Sequence, residues 1–141
     1  MIVSITREYR WEMGHALMHH KGKCHNPHGH NYRMEVEVSG GIDPKIGMVM
    51  DFADLDVLVK PFIDIYDHAF LVNEADLGRL DPPEFVPVPD EPTAENIARW
   101  LWEDLRKMNG LSKLPHLSGH YNLERVTLWE TDKASATIRR T

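Results

Sequence analysis

Residues 3 to 13 alternate apolar and polar side chains: Val3, Ile5, Tyr9, Trp11 and Met13 on one side, Ser4, Thr6, Glu8, Arg10 and Glu12 on the other. A period of two predicts a half-buried strand. Residues 31 to 39 repeat the pattern, with Tyr32, Met34, Val36 and Val38 against Arg33, Glu35 and Glu37, until Gly40-Gly41 ends it. From Asp51 to Asp67 the rhythm changes. Phe52, Leu55, Leu58, Val59, Phe62, Ile63 and Tyr66 recur at threes and fours, which predicts an amphipathic helix that Pro61 should bend or locally break. A second helix is predicted from Thr93, an N-cap after Pro92, through Ile97, Leu101, Leu105 and Met108, with Asn109-Gly110 as its stop. Two more strands close the chain, at 123–131 and 134–140, joined tightly at Asp132-Lys133. The order β-β-α-α-β-β predicts an α+β fold: an antiparallel four-stranded sheet with two helices on one face, a single domain over 1–141. Such a sheet leaves edge strands without cover, and pairing with further copies of the chain is the expected remedy.

Composition narrows the class. With 141 residues, 42% hydrophobic and 27% charged, the sequence reads as one globular domain. No apolar run approaches the ~20 residues of a membrane-spanning helix, and the first residues mix charge among apolar positions, unlike a secretory signal. The single cysteine, Cys24, excludes an intramolecular disulfide and fits a reducing compartment, so a cytoplasmic location is expected. A net charge of -6 argues against nucleic acid as partner.

The charge is unevenly spread. Met13 to Met34 contains no acidic residue, yet it carries Lys21, Lys23, Arg33, the cysteine, and six of the nine histidines: His15, His19, His20, His25, His28 and His30. His28 and His30 are two apart at the start of a strand, so both rings point to one face with Cα atoms ~6–7 Å apart, and both can reach one ion. His15, at the end of the preceding strand, supplies a third ligand if the two strands pair antiparallel. Three neutral imidazoles and an open position are the signature of a catalytic zinc. Cys24 lies among cationic residues that favour its thiolate; it reads as a reactive thiol, or as a fourth ligand that closes the site. Glu130 shares a strand face with Val126 and Leu128, where a carboxylate needs a partner: Arg125, Lys133, or the guanidine-like edge of a ligand. The meaning of Asp67-His68 depends on where Cys24 folds.

Together these residues resemble the 6-pyruvoyltetrahydropterin synthase family, which includes the 6-carboxytetrahydropterin synthases of the queuosine pathway. The resemblance runs through Gly14-His15-Ala16-Leu17, Cys24-x-x-x-His28-Gly29-His30-Asn31-Tyr32, Gly47 to Leu55, Asp67-His68, Pro92-Thr93-Ala94-Glu95-Asn96 and Glu130-Thr131. It implies the tunnelling fold, in which sheets of several subunits join edge to edge, typically as a homohexamer of two trimers with active sites at subunit boundaries. By position, it implies zinc on His15, His28 and His30. Cys24 becomes the general base or proton carrier, oriented with Asp67 and His68, which come from the same chain or from a neighbouring subunit. Glu130 becomes the anchor of the pterin, with Thr93 and Glu95 as further substrate contacts. The implied substrate is the small-molecule pterin 7,8-dihydroneopterin triphosphate, and the implied product is 6-carboxytetrahydropterin, with loss of triphosphate and acetaldehyde. The 6-pyruvoyl product of tetrahydrobiopterin synthesis and a non-catalytic pterin-binding homologue are the alternatives. The acid-free segment, through Lys21 and Lys23, offers the triphosphate a favourable field.

Two features depart from the family pattern. Trp11-Glu12-Met13-Gly14 replaces the usual Phe-x-Ala-Ala or Phe-x-Ala-Ser, and the Gly78–Pro92 loop is long and rich in proline. His19, His20, His25, His116 and His120 match no family role and read as surface or structural histidines. A generic three-histidine zinc hydrolase lacks its general-base motif here.

Overall fold

The computed structural model describes residues 1–79, 85–107 and 121–141. The predicted helix stop at 108–110, His116, His120 and the centre of the proline-rich loop lie outside the described residues. Six strands form one sheet: β1 (Val3–His15), β2 (His28–Gly40), β3 (Phe70–Asn73), β4 (Val86–Val88), β5 (Tyr121–Thr131) and β6 (Ala134–Arg139). Their spatial order is β4-β3-β1-β2-β5-β6. The antiparallel β1–β2 and β5–β6 pairs are those the alternation predicts, and β2 pairs with β5 at the centre.

The sheet is larger than the predicted four strands and is mixed. β3 runs parallel to β1, and β4 parallel to β3. At four and three residues, one of them Pro87, these segments are too short to display a period.

Helices α1 (Phe52–Tyr66) and α2 (Ala94–Lys107) begin at capped ends. The Asp51 carboxylate accepts from the Ala53 amide at 2.8 Å, and the Thr93 hydroxyl accepts from the Asn96 amide at 3.2 Å. Pro61 does not break α1. It costs about 3 kcal/mol in a helix interior, whereas each buried aliphatic side chain contributes about 1.5–3 kcal/mol. Helix α1 buries Leu55, Leu58, Val59 and Ile63 in the common core, and Pro61 sits on the exposed side where water reaches the freed carbonyl. The core continues through Ile97, Leu101 and Leu105 of α2 onto Met34, Val36, Val126 and Leu128 of the sheet.

The β1–β2 register positions the chemistry. Trp11 lies opposite Tyr32, Met13 opposite His30, and His15 opposite His28. Residues facing each other across an antiparallel pair share a sheet face, so all three histidines emerge at one end of the core-facing side.

Candidate metal centre and its surroundings

The rings of His15, His28 and His30 converge, with centroids 4.5, 5.2 and 4.9 Å apart, and one nitrogen from each lies within 4.8 Å of the others. Backbone carbonyls fix two of the tautomers. His15 Nδ1 lies 2.7 Å from the Pro92 carbonyl oxygen, and His28 Nδ1 lies 2.6 Å from that of Asn26. A carbonyl only accepts, so each Nδ1 carries the proton and donates. In the neutral rings both Nε2 atoms are then bare lone pairs, and they face each other at 3.0 Å. Two acceptors cannot satisfy one another; a cation between them can. His30 Nε2 is likewise buried without a hydrogen-bond partner. Burial lowers the pKa of His15 and of His30, which keeps both rings neutral and able to bind a metal. The donor set therefore fits zinc: three imidazole nitrogens, with carbonyls behind two of them.

Glu130 joins this space. Its Oε1 lies 3.2 Å from His15 Nε2 and 3.5 Å from His30 Nε2. Of the partners proposed from sequence, Arg125 is engaged elsewhere, 2.7 Å from Glu37 and 3.1 Å from Glu35. Burial, with the Glu130 carboxylate second, raises the Tyr32 phenol pKa and keeps it protonated.

Cys24 lies on a short 3-10 turn, Lys23–His25, between β1 and β2, as a half-buried free thiol; Lys21 and Lys23 beside it are exposed. Among the described residues no hydrogen bond links its sulfur to Asp67 or His68. That dyad sits along β1 beside the stretch that pairs with β3. The His68 amide donates to the Glu12 carbonyl at 2.6 Å, and the Gly14 amide to that of Ala69 at 2.9 Å. Asp67 Oδ1 lies 2.8 Å from His68 Nδ1, and Glu12 Oε2 lies 3.2 Å from its Nε2. Glu12 points to the face opposite Met13 and His15, so the dyad and the triad of one chain occupy opposite faces of β1. The His68 side chain is 73% exposed and borders two clefts of about 440 and 560 Å³. His68 also holds φ = 61°, a left-handed conformation that costs a non-glycine residue about 1 kcal/mol.

Thr93 and Glu95 stand at the start of α2, next to the Pro92 carbonyl that orients His15; Glu95 is exposed. Sequence reasoning missed Glu12, the two orienting carbonyls and the influence of Glu130 on Tyr32, all of which depend on contacts between distant segments. The departure at Gly14 has a local cause: a Cβ there would lie 2.7 Å from Phe70 Cδ2 and 3.3 Å from the His28 carbonyl oxygen. Among the described residues no helix is long and apolar enough to cross a membrane.

Comparison with known proteins identifies the family. The sequence pattern of the family described as 6-pyruvoyl tetrahydropterin synthase matches residues 4–141. The chain is 36% identical over 140 residues to a 6-carboxy-5,6,7,8-tetrahydropterin synthase of Haemophilus influenzae, covering 90% of this chain and 92% of that one. It is 39% identical over 121 residues to a 6-pyruvoyl tetrahydrobiopterin synthase of Poecilia reticulata, covering 84% of this chain and 70% of that one. The structure of a 6-pyruvoyl tetrahydropterin synthase from Caenorhabditis elegans superposes with a TM-score of 0.70 at 28% identity, over 100% of this chain and 97% of that one. The chain belongs to the 6-pyruvoyl tetrahydropterin synthase family, whose α+β fold it adopts.

Proposed function

We propose that this chain is a zinc-dependent 6-carboxy-5,6,7,8-tetrahydropterin synthase of queuosine biosynthesis, acting on 7,8-dihydroneopterin triphosphate with loss of triphosphate and acetaldehyde. The observation that carries the reading is the pair of lone-pair nitrogens facing each other on His15 and His28, with His30 alongside. Likeness to the Haemophilus influenzae enzyme along most of both chains supports the carboxy branch. Zinc, when bound, supplies Lewis acidity toward the substrate's side-chain oxygens and so makes the neighbouring C–H bonds more acidic.

The chain's own residues supply the rest. Glu130 accepts two parallel N–H bonds from the aminopyrimidine edge and fixes the pterin beside the triad. The Cys24 thiolate takes and returns protons at the side-chain carbons, a role that suits a half-buried thiol flanked by lysines. Lys21 and Lys23 draw in the triphosphate, and Thr93 and Glu95, at the head of α2, make further substrate contacts. Asp67 orients His68, which exchanges protons with the thiol. Because the dyad and the triad lie on opposite faces of β1, the dyad serving one metal comes from a neighbouring copy. The exposed edges β4 and β6 suit edge-to-edge assembly into a homohexamer of two trimers.

A second reading, formation of the 6-pyruvoyl product, is favoured by the 39% identity to the Poecilia reticulata enzyme. Incubating zinc-loaded protein with dihydroneopterin triphosphate and analysing pterin and aldehyde by mass spectrometry separates the two. Acetaldehyde with a carboxypterin is expected. A pyruvoyl pterin without aldehyde supports the second reading, and unchanged substrate overturns both.

A further inference from the structure

Outside the triad, the described residues contain one other cluster with metal-ligand chemistry. His19, on the turn after β1, meets Asp76, on the turn after β3, and Glu91, just before α2. We propose that these three side chains form a second divalent-cation site, separate from the pterin centre and independent of the function proposed for it. The observation that points to a ligand is Asp76. The residue is 2% exposed, and its Oδ2 has no hydrogen-bond partner. A buried carboxylate oxygen left bare is strongly unfavourable unless a cation faces it.

Oδ2 is aimed into the cluster. His19 Nε2 lies 3.7 Å from it and 3.8 Å from Glu91 Oε1, and all three donor atoms fall within 4.8 Å of one another. Ligands about 2.0–2.2 Å from one tetrahedral ion stand roughly 3.4 Å apart, so His19 Nε2 is within a few tenths of an ångström of that spacing from each carboxylate. The same distances are too long for a hydrogen bond between His19 and either carboxylate. His19 at this distance can pair with the Asp76 charge but makes no hydrogen bond to Oδ2, whereas a bound ion ligates that oxygen directly.

Neighbouring groups position both carboxylates. Arg79 Nη1 approaches Asp76 Oδ1 at 3.5 Å and leaves Oδ2 to the cluster. Asn73 Nδ2 donates to Glu91 Oε1 at 2.9 Å, and the His19 amide donates to Glu91 Oε2 at 3.4 Å, which steadies the carboxylate as an outer shell does for a metal ligand. One imidazole and two carboxylates select a divalent first-row ion such as Zn²⁺ or Mn²⁺. The site pins together three turns that are distant in sequence. One of them continues into Pro92, whose carbonyl holds the tautomer of His15.

The test strips the protein with chelator, reloads it with Zn²⁺, desalts it and counts metal per chain by mass spectrometry. His19→Gln removes a side chain that is 65% exposed, so the fold is retained; Asp76→Asn removes the buried charge at nearly constant volume. Each variant is expected to bind one ion fewer per chain than wild type, whatever the triad holds, and His15→Ala is expected to keep the ion that His19→Gln loses. Equal metal content in wild type and His19→Gln, as adventitious binding to His20 or His25 would give, overturns the proposal. So does undiminished metal content in Asp76→Asn.

Discussion

At the scale of single residues, the metal centre rests on backbone oxygens as much as on histidines. The carbonyls of Pro92 and Asn26 take the Nδ1 protons and aim two bare Nε2 atoms at one point. Glu130 reaches the same point, which makes it either a further ligand or the holder of the substrate. Because the reading here is the latter, Glu130→Gln should keep its zinc and raise KM for the pterin tenfold or more, with a smaller effect on kcat. Loss of zinc on dialysis would make it a ligand. Cys24→Ala should likewise retain zinc while kcat falls at least a hundredfold, the scale of a lost proton carrier.

Away from the site, hydrogen bonds from Arg140 and then Ser39 hold the Glu124 carboxyl below its ordinary value of 4.5. A carboxylate lowered by folding stabilises the native state above its unfolded pKa, and that stabilisation is lost as pH falls through the folded value. Glu124→Gln should therefore cost roughly 1 kcal/mol at pH 7, on the scale of a partly exposed charged pair. The gap in urea midpoint between the two proteins should shrink as pH falls below 4.5 and through the lowered folded value; a gap that stays constant throughout acidification would show that charge is not its source. His28 and His30 were legible from the two-residue period, and His15 from the antiparallel pairing it implies. The carbonyl partners, Glu12, and the His19, Asp76 and Glu91 cluster were not, since they join segments that no local pattern relates.

At the scale of elements, the long strands and both helices follow from apolar periodicity, because each buries one face in the common core. The parallel strands β3 and β4 escaped because four and three residues, one of them Pro87, are too few to display a period. They matter to the site nonetheless. Phe70 at the start of β3 packs against Gly14, and this contact seats the 67–69 turn along β1 one residue from His15. Gly14→Ala should push against the Phe70 ring and cost about 1–3 kcal/mol, the usual range for overpacking. Phe70→Leu introduced with it should recover part of that loss in urea denaturation; an additive loss would place the strain elsewhere. Pro61 shows the opposite relation, a strong local signal overridden by burial of the helix face around it.

At the scale of the whole molecule, the sheet ends among the described residues in β4 and β6, and the Asp67–His68 dyad meets Glu12, which points away from the face of Met13 and His15. The assembly proposed above would resolve both features. Cys24→Ala and His68→Ala are each expected to be inactive alone. When unfolded together and refolded as mixed oligomers, they should regain a fraction of wild-type turnover, because some sites then combine an intact thiol with an intact dyad. No recovery would place both groups of one site in the same chain.

The claim on which the rest depends is that His15, His28 and His30 grip one zinc and leave a position open for substrate. X-ray absorption at the zinc edge, on His19→Gln protein loaded with one equivalent, tests it most directly. Three imidazole nitrogens at about 2.0–2.1 Å with a light oxygen neighbour are predicted. A sulfur neighbour at about 2.3 Å, marking Cys24 as a fourth ligand in a closed site, or a shell without imidazole, would contradict it.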